Sequence, residues 1–250
     1  MSNNQKSIYF ASDFHLGVPD EKSSREREQA VVNWLSSIEH DAQEIYLVGD
    51  LFDFWFEYAK VIPKGFVRLQ GKIAELVDKG IPVIFFTGNH DMWMFDYFEK
   101  ELGVKIYRDN IIREYFGKKI MIGHGDGLGP GDYSYKFLKK VFASKICQWL
   151  FARIHPNLGM WIADKWSRSS RLANDSKEQF LGEENEWLAI YCKEQLQKVH
   201  YDLFVFGHRH LPLDIRLSDT SRYINLGEWV HHRTYLKLSE HGAELKSFQS

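Results

Sequence analysis

Five short apolar segments, each followed directly by a cluster of polar residues, constrain the fold of this 250-residue sequence more than any other feature. The segments are rich in Ile, Val, Phe and Tyr and apolar nearly throughout, as is typical of strands buried on both faces. They cover Ile8–Ser12, Ile45–Val48, Val83–Thr87, Ile120–Ile122 and Leu203–Phe206. A β-sheet covered on both sides is therefore predicted.

Helical spacing of apolar residues appears between the first three predicted strands, in Ser24–Glu39 and Phe66–Lys79. The order β-α-β-α-β favours parallel strands in this part of the sheet. Segments of alternating polarity follow later, at Ile111–Phe116, Tyr223–Leu226 and Thr234–Leu238. We therefore predict an α/β fold in which mixed β-sheets pack as a β-sandwich flanked by helices.

Residues 133–199 interrupt this pattern, because they contain no clear strand and predict three helices. The first two helices, Tyr133–Arg153 and Leu158–Leu172, are dense in Phe, Trp, Leu and Ile and carry many Lys and Arg side chains. We expect one domain, residues 1–250, with a helical lid insertion at about residues 133–199.

Composition excludes several classes of protein. The 32 Lys and Arg nearly balance the 34 Asp and Glu, so the net charge of −2 gives no general reason to expect a nucleic-acid partner. The two cysteines, Cys147 and Cys192, are far apart and predict neither a disulfide framework nor a zinc knuckle. The sequence shows no signal-type segment and no apolar run of transmembrane length, so we expect a cytoplasmic protein.

The polar clusters at the predicted strand ends carry the chemistry. Strand carboxyl ends converge on one crevice in α/β sheets, so these clusters are expected to meet. Carboxylate, imidazole and amide oxygen without thiolate suit Mn, Fe or Zn. The clusters are Asp13-Phe14-His15, Gly49-Asp50-Leu51-Phe52-Asp53, Gly88-Asn89-His90-Asp91, Gly123-His124-Gly125-Asp126 and Gly207-His208-Arg209-His210.

These five blocks, in this order, resemble the calcineurin-like metallophosphoesterase superfamily. The resemblance implies hydrolysis of a phosphoester with two divalent metal ions, for which we expect Mn, with Fe, Zn or Mg as alternatives. It assigns Asp13, His15, Asp50 and His210 to one ion, and Asp50, Asn89, His124 and His208 to the other. Asp50 would bridge the two ions, since two neighbouring cations need an anionic ligand between them.

The third block also predicts a catalytic pair. His90 follows ligand Asn89 and is the candidate for protonating the leaving oxygen or contacting the phosphoryl group. Asp91 is expected to orient His90, and Asp53 is expected to support a metal ligand from behind.

Within the superfamily, the sequence is most similar to the UDP-2,3-diacylglucosamine hydrolases, a family of lipid A enzymes that cleave a pyrophosphate and release UMP. The similarity implies substrate-binding roles for Trp55, Tyr135, Ser170, Arg171, Asn174 and Lys177. The sequence departs from that family at His90, where the family's best-known form has Arg. Ser167 likewise replaces a lid arginine of the family, with Arg168 and Arg171 as candidate replacements.

The implied substrate is a lipid-linked nucleotide, UDP-2,3-diacylglucosamine, and the implied products are UMP and 2,3-diacylglucosamine 1-phosphate. An aromatic lid with basic residues also predicts peripheral contact with the cytoplasmic face of the inner membrane. No obligate protein partner is inferred, and no nucleic acid, since the basic residues are confined to the lid. The alternatives are a nucleotide or cyclic-nucleotide phosphodiesterase, a general phosphatase, or a catalytically dead binding scaffold.

Overall fold

The computed structural model describes residues 6–131, 133–174, 179–180 and 182–249, and eleven strands within these ranges form two sheets. The first sheet has six strands in the order β11-β10-β1-β2-β3-β4. Its members are β1 (Ser7–Ala11), β2 (Ala42–Val48), β3 (Val83–Phe86), β4 (Lys105–Tyr107), β10 (Thr234–Ser239) and β11 (Gly242–Ser247). Strands β1 to β4 run parallel, while β10 and β11 add an antiparallel hairpin at the β1 edge.

The second sheet has five strands in the order β5-β6-β7-β9-β8. Its central strands β6, β7 and β9 are parallel to one another, and β5 and β8 are antiparallel edges. The members are β5 (Ile111–Tyr115), β6 (Lys118–Ile122), β7 (Leu203–Phe206), β8 (Pro212–Arg216) and β9 (Arg222–Leu226).

Three layers of apolar side chains hold the helices and sheets together. Helices α1 (Glu21–Ile38), α2 (Val67–Asp78) and α3 (Tyr97–Leu102) cover the outer face of the first sheet. Phe10 and Val205 lie in the layer between the two sheets. Helix α7 (Trp187–Leu196) covers the outer face of the second sheet, where Leu188 and Cys192 pack against Phe204. The predicted α/β fold, with mixed sheets packed between helices, is confirmed.

Three further helices, α4 (Tyr133–Ala143), α5 (Lys145–Phe151) and α6 (Pro156–Asn174), project from this framework, and we refer to them as the lid. The single helix predicted over Tyr133–Arg153 is wrong, because the chain turns at Ser144. That residue is extended, with φ −70° and ψ 136°, and its hydroxyl accepts the amide of Cys147 to begin α5. The third helix of the predicted insertion, α7, belongs to the layer on the second sheet.

The chain enters and leaves the insertion at almost the same point. Gly129 has φ +73°, and a Cβ atom there would lie 2.4 Å from the carbonyl oxygen of Trp187. Only glycine permits so close an approach of two backbone segments in this conformation. The two ends of residues 130–186 are therefore neighbours.

The elements that the sequence pattern missed are short or lie at edges. Strand β4 has three residues, α3 has six, and the edge strands β8 and β11 each bury only one residue. Such segments have too few apolar residues to show a period. In the described part of the chain, no helix is both long enough and apolar enough to span a membrane.

Candidate metal centre

Backbone hydrogen bonds connect the loops that follow the parallel strands. The amide of Asp13 donates to the carbonyl of Gly49 at 3.0 Å, and the amide of His15 donates to the carbonyl of Asp50 at 3.0 Å. In the second sheet, the amide of Gly207 donates to the carbonyl of His124 at 2.9 Å. The predicted ligand clusters therefore lie together at the carboxyl ends of the strands, as this topology requires.

Five of the predicted ligands adopt left-handed backbone conformations that are uncommon outside glycine. Their φ angles are 57° for Asp13, 44° for His15, 52° for Asp50, 69° for His208 and 55° for His210. Such conformations cost free energy and persist where the surrounding structure enforces them, which is typical of functional sites.

The third ligand block begins with Gly88 because a side chain at this position would collide with Asp50. A Cβ atom at Gly88 would lie 2.2 Å from Oδ1 of Asp50 and 2.6 Å from its amide nitrogen. The same carboxylate oxygen accepts the amide of His90 at 2.8 Å. The third loop therefore passes close enough to hold Asp50 only because residue 88 has no side chain.

Asp13, His15 and His210 form one group of converging atoms. Nε2 of His15 lies 3.0 Å from Nε2 of His210, and Nε2 of His210 lies 3.4 Å from Oδ1 of Asp13. Both imidazole nitrogens and the carboxylate therefore face the same small volume. Nδ1 of His15 is buried and has no hydrogen-bond partner among the described atoms.

Asp50, His124 and His208 form a second group, with Asn89 beside it. Nε2 of His124 lies 3.3 Å from Oδ2 of Asp50 and 3.2 Å from Oδ1 of Asn89. Nδ1 of His124 lies 2.8 Å from the carbonyl of Val48. That bond places the proton on Nδ1 and leaves Nε2 as the ligand atom.

The electrostatics of these groups favour cations. Burial raises the pKa of Asp50, but the charge of His124 outweighs burial and holds that pKa well below its usual value. Burial lowers the pKa of His124, whereas the negative charge of Asp50 raises it, with a net value of about 10. Burial also raises the pKa of Asp13, and its hydrogen bonds to His15 and His210 bring it below the usual value.

Asp13 and Asp50 are 0% and 1% exposed, and among the described residues their charged neighbours within 4.0 Å are imidazoles. Burial together with the charge of His124 lowers the pKa of His208 to about 4, so that this ring is neutral near pH 7. The two buried carboxylates attract positive charge, as the raised pKa of His124 beside Asp50 indicates, and a divalent cation would take the place of that proton with ligand types suited to Mn, Fe or Zn. The residues fit the metal ions that the sequence predicts.

Asp91 does not contact the ring of His90, contrary to the expected orienting role. Its carboxylate is fully buried and accepts the backbone amides of Leu51 at 2.7 Å and Gly88 at 2.8 Å. Burial and the charge of Asp50 raise the pKa of Asp91 to about 7. Asp91 thus joins the second and third ligand loops, because it lies beneath them.

Asp53 is the carboxylate that lies beside His90. Nδ1 of His90 donates to the carbonyl oxygen of Asp53 at 2.9 Å and lies 3.8 Å from its carboxylate. The same carboxylate oxygen lies 3.8 Å from Nδ1 of His15. The lid residue Ser167 donates its hydroxyl to Oδ2 of Asp53 at 2.7 Å.

Trp55 was expected to bind substrate, and the structure places it in the core. It is fully buried between Phe52 and Phe98, with ring centroids 4.6 Å and 4.7 Å away, and its indole nitrogen donates to Glu57. The side chain points under the loop rather than towards the metal centre, because the chain beyond Asp53 turns into the first hydrophobic layer.

A pocket of about 330 Å³ opens beside the third ligand loop. Asn89 and His90 lie at one end, and the remaining wall is mostly apolar and includes Trp93, Phe142 and Trp166. Tyr135, a predicted substrate-binding residue, also lines it.

Two lid side chains attach helix α4 to the fourth ligand loop. The hydroxyl of Tyr135 donates to Oδ2 of Asp126 at 2.7 Å, and the ammonium of Lys139 lies 2.7 Å from the same oxygen. Asp126 follows the ligand His124 by two residues. It therefore attaches the lid to the loop that carries this ligand.

The remaining predicted substrate residues lie on the lid. The backbones of Ser170, Arg171 and Asn174 belong to α6, but their side chains lie outside the described part of the structure, as does the whole of Lys177. Sequence reasoning missed the wall formed by Phe54, Phe151 and Ala163. No motif marks such residues, since apolar side chains on amphipathic helices have the same pattern in a core and in a pocket.

Comparisons with known proteins agree with this site. The sequence pattern of the calcineurin-like phosphoesterase family matches residues 6–212. A UDP-2,3-diacylglucosamine hydrolase of Porphyromonas gingivalis is 37% identical over 91% of this chain and 92% of its own length. Proteins of the same name from Histophilus somni and Haemophilus influenzae are each 27% identical over 95% of this chain, and over 98% and 97% of their own lengths.

These relatives confirm the similarity to UDP-2,3-diacylglucosamine hydrolases that the sequence indicated. The family match spans all five ligand-bearing loops, from Asp13 to His210, and the relatives align with nearly the whole chain. The chain therefore belongs to the calcineurin-like phosphoesterase family.

Proposed function

We propose that this protein hydrolyses the pyrophosphate of UDP-2,3-diacylglucosamine to UMP and 2,3-diacylglucosamine 1-phosphate, using two divalent cations. The observation that carries the proposal is the apolar pocket that opens beside Asn89 and His90. A phosphoesterase for small polar substrates has no use for an apolar wall at this position, whereas an acylated substrate does. The names of the relatives support the same substrate.

Seven side chains would hold the cations, with Asp50 between them, and we propose Mn as the metal. Bound cations would supply positive charge that stabilises the phosphoryl oxygens and lowers the pKa of an attacking water. The seven are Asp13, His15, Asp50, Asn89, His124, His208 and His210, and the distances among their ligand atoms support this set.

His90 would act on the substrate itself. Its Nδ1 is engaged by the carbonyl of Asp53, which leaves Nε2 for an oxygen of the substrate. His90 lines the pocket next to the ligand Asn89. We assign it the donation of a proton to the leaving oxygen, for which the protonated ring is required.

The acyl chains would lie against the lid. Each buried methylene contributes up to about 0.8 kcal/mol, so a few carbons change affinity by orders of magnitude. Tyr135 lies between this apolar wall and the metal centre, with its ring centroid 6.3 Å from that of His208. Together with the lid insertion predicted at residues 133–199, it would define where the glucosamine and its chains bind.

The outer face of the lid would contact the cytoplasmic face of the inner membrane. Ile146, Trp149 and Trp161 expose more than half of their surface, and the guanidinium of Arg153 lies 4.6 Å above the Trp149 ring. Aromatic side chains combined with basic ones suit an anionic lipid surface, where the substrate's acyl chains also reside. We propose no further protein partner.

The test compares two substrates that share the UDP group. Purified protein with Mn is expected to release UMP from UDP-2,3-diacylglucosamine at least about a hundredfold faster than from UDP-N-acetylglucosamine, since burial of several methylenes contributes this much. Comparable rates would refute the lipid assignment and favour a nucleotide phosphodiesterase or a general phosphatase. Absence of turnover on both substrates and on bis-p-nitrophenyl phosphate would favour a binding scaffold.

A further inference from the structure

Ser167 is a buried polar residue on α6. It is 8% exposed, whereas Trp166 beside it is 44% exposed. Its hydroxyl donates to Oδ2 of Asp53 at 2.7 Å and lies 3.5 Å from Nδ1 of His90. This hydrogen bond joins the lid to the loop that follows the ligand Asp50.

Asp53 connects that hydrogen bond to two imidazole rings. Its second carboxylate oxygen, Oδ1, lies 3.8 Å from Nδ1 of His90 and 3.8 Å from Nδ1 of His15. The two rings meet edge to face, with centroids 4.9 Å apart and planes at 90°. The hydrogen bond from Ser167 to one carboxylate oxygen therefore favours the orientation in which the other oxygen lies near both rings.

We propose that Ser167 is a positioning residue, through which the seated lid orients Asp53 and thereby the ring of His90. The proposal rests on the proposed function, in which His90 donates a proton to the leaving oxygen. When the hydroxyl is present, Nδ1 of His90 contacts the carbonyl of Asp53 at 2.9 Å and lies 3.8 Å from its carboxylate, and the residue lines the pocket. Without it, Oδ2 loses this hydrogen bond in a buried environment, and the orientation of the carboxylate is less restricted.

The experiment measures hydrolysis of aryl methyl phosphodiesters whose leaving groups range from p-nitrophenol to phenol, at saturating Mn. Ser167→Ala is expected to lower kcat about tenfold for phenol and to change it less than about twofold for p-nitrophenol, since a poor leaving group depends most on proton donation. Ser167→Thr, which keeps the hydroxyl, is expected to restore the wild-type dependence. Ser134→Ala, an exposed serine of α4, is the matched control.

A double-mutant cycle identifies the residue through which Ser167 acts. On a His90→Ala background, Ser167→Ala is expected to have no further effect on kcat, because the oriented group is already gone. A uniform loss for all leaving groups, or an equal loss on both backgrounds, would overturn the proposal. Thermal unfolding and bound metal, measured for each variant, separate these results from misfolding.

The aryl diesters make the result independent of the lipid assignment. If UDP-2,3-diacylglucosamine is not the substrate, the dependence on Ser167 is still expected with these esters. Failure of the wild-type protein to hydrolyse any of them would contradict the two-metal hydrolysis instead.

Discussion

The two-sheet framework and the lid differ in how far their side chains are buried. In the framework, the side chains between the sheets, such as Phe10 and Val205, are fully buried, and the ligand loops are joined by backbone hydrogen bonds. In the lid, α4 and α5 bury no residue among those described, and Tyr133 is 79% exposed. Cation ligands must be held within fractions of an ångström, whereas a pocket for flexible chains must adapt. The comparison teaches that, under the proposed function, the framework would hold the cations and the lid would hold the acyl chains.

The two regions are nevertheless connected at defined points. Ser167 contacts Asp53 and Tyr135 contacts Asp126, while Glu186, which lies outside the three lid helices at the end of the inserted segment, forms a buried ion pair with Arg209 at 3.0 Å. Each partner in the framework lies within three residues of a predicted metal ligand. The lid is thus attached to the ligand loops, and the following predictions separate the contributions of the two regions.

The largest effect is expected at the bridging ligand. Asp50→Asn keeps a side chain of the same shape, and Asn tolerates the left-handed backbone at φ 52°, so the change removes charge with little change of fold. We expect kcat on any phosphodiester to fall by about a hundredfold to a thousandfold, the cost of removing one preorganised electrostatic group. Metal analysis should find fewer than two ions per chain. Near-normal turnover with two ions bound would contradict the bridging assignment.

A smaller effect is expected from a change that keeps every ligand residue but moves one of the loops that carry them. Gly88→Ala introduces a methyl group 2.2 Å from Oδ1 of Asp50, so the third loop must shift. We expect metal affinity, measured by titration calorimetry, to fall by about tenfold to a hundredfold, as for other changes that misplace a ligand. Gly71→Ala in α2 is the control, because a Cβ atom there meets nothing within 4 Å. It should raise the free energy of unfolding by about 0.5–1 kcal/mol and leave metal binding unchanged.

The smallest effect is expected from a comparison of two lid tryptophans, one on the face that lines the pocket and one on the face that does not. Trp166 lines the pocket and stacks edge to face on Phe142 at 4.5 Å, whereas Trp161, on the same helix, does not line it. With substrate in detergent, Trp166→Ala should lower kcat/KM for the acylated nucleotide about tenfold, while Trp161→Ala should not. Neither change should affect bis-p-nitrophenyl phosphate. Equal losses for both variants would show that the pocket face has no special role.

Much of the framework was predictable, because its determinants are local. A strand buried on both faces must be apolar throughout, and the residues after it must include the ligands, so segments such as Leu203–Phe206 are predicted with the observed bounds. The residues that support the ligands were less predictable than the ligands themselves. Asp53 and Asp91 are equally plausible partners of His90 in sequence, and only the turn at Gly88 places Asp91 beneath the loops. The position of Trp55 could not be predicted for a similar reason, since a tryptophan beside a ligand block is compatible with both a core and a binding site.

The close approach of the two ends of residues 130–186 has a consequence for the evolution of such enzymes. Because Gly129 and Trp187 are neighbours, an inserted segment of almost any length joins the same two points without moving β6 or β7. The segment can be exchanged as a cassette, by natural recombination or by design, while the ligand loops stay intact. A homologue that differs only between these two points would therefore keep the seven predicted ligands and bind a different phosphoester.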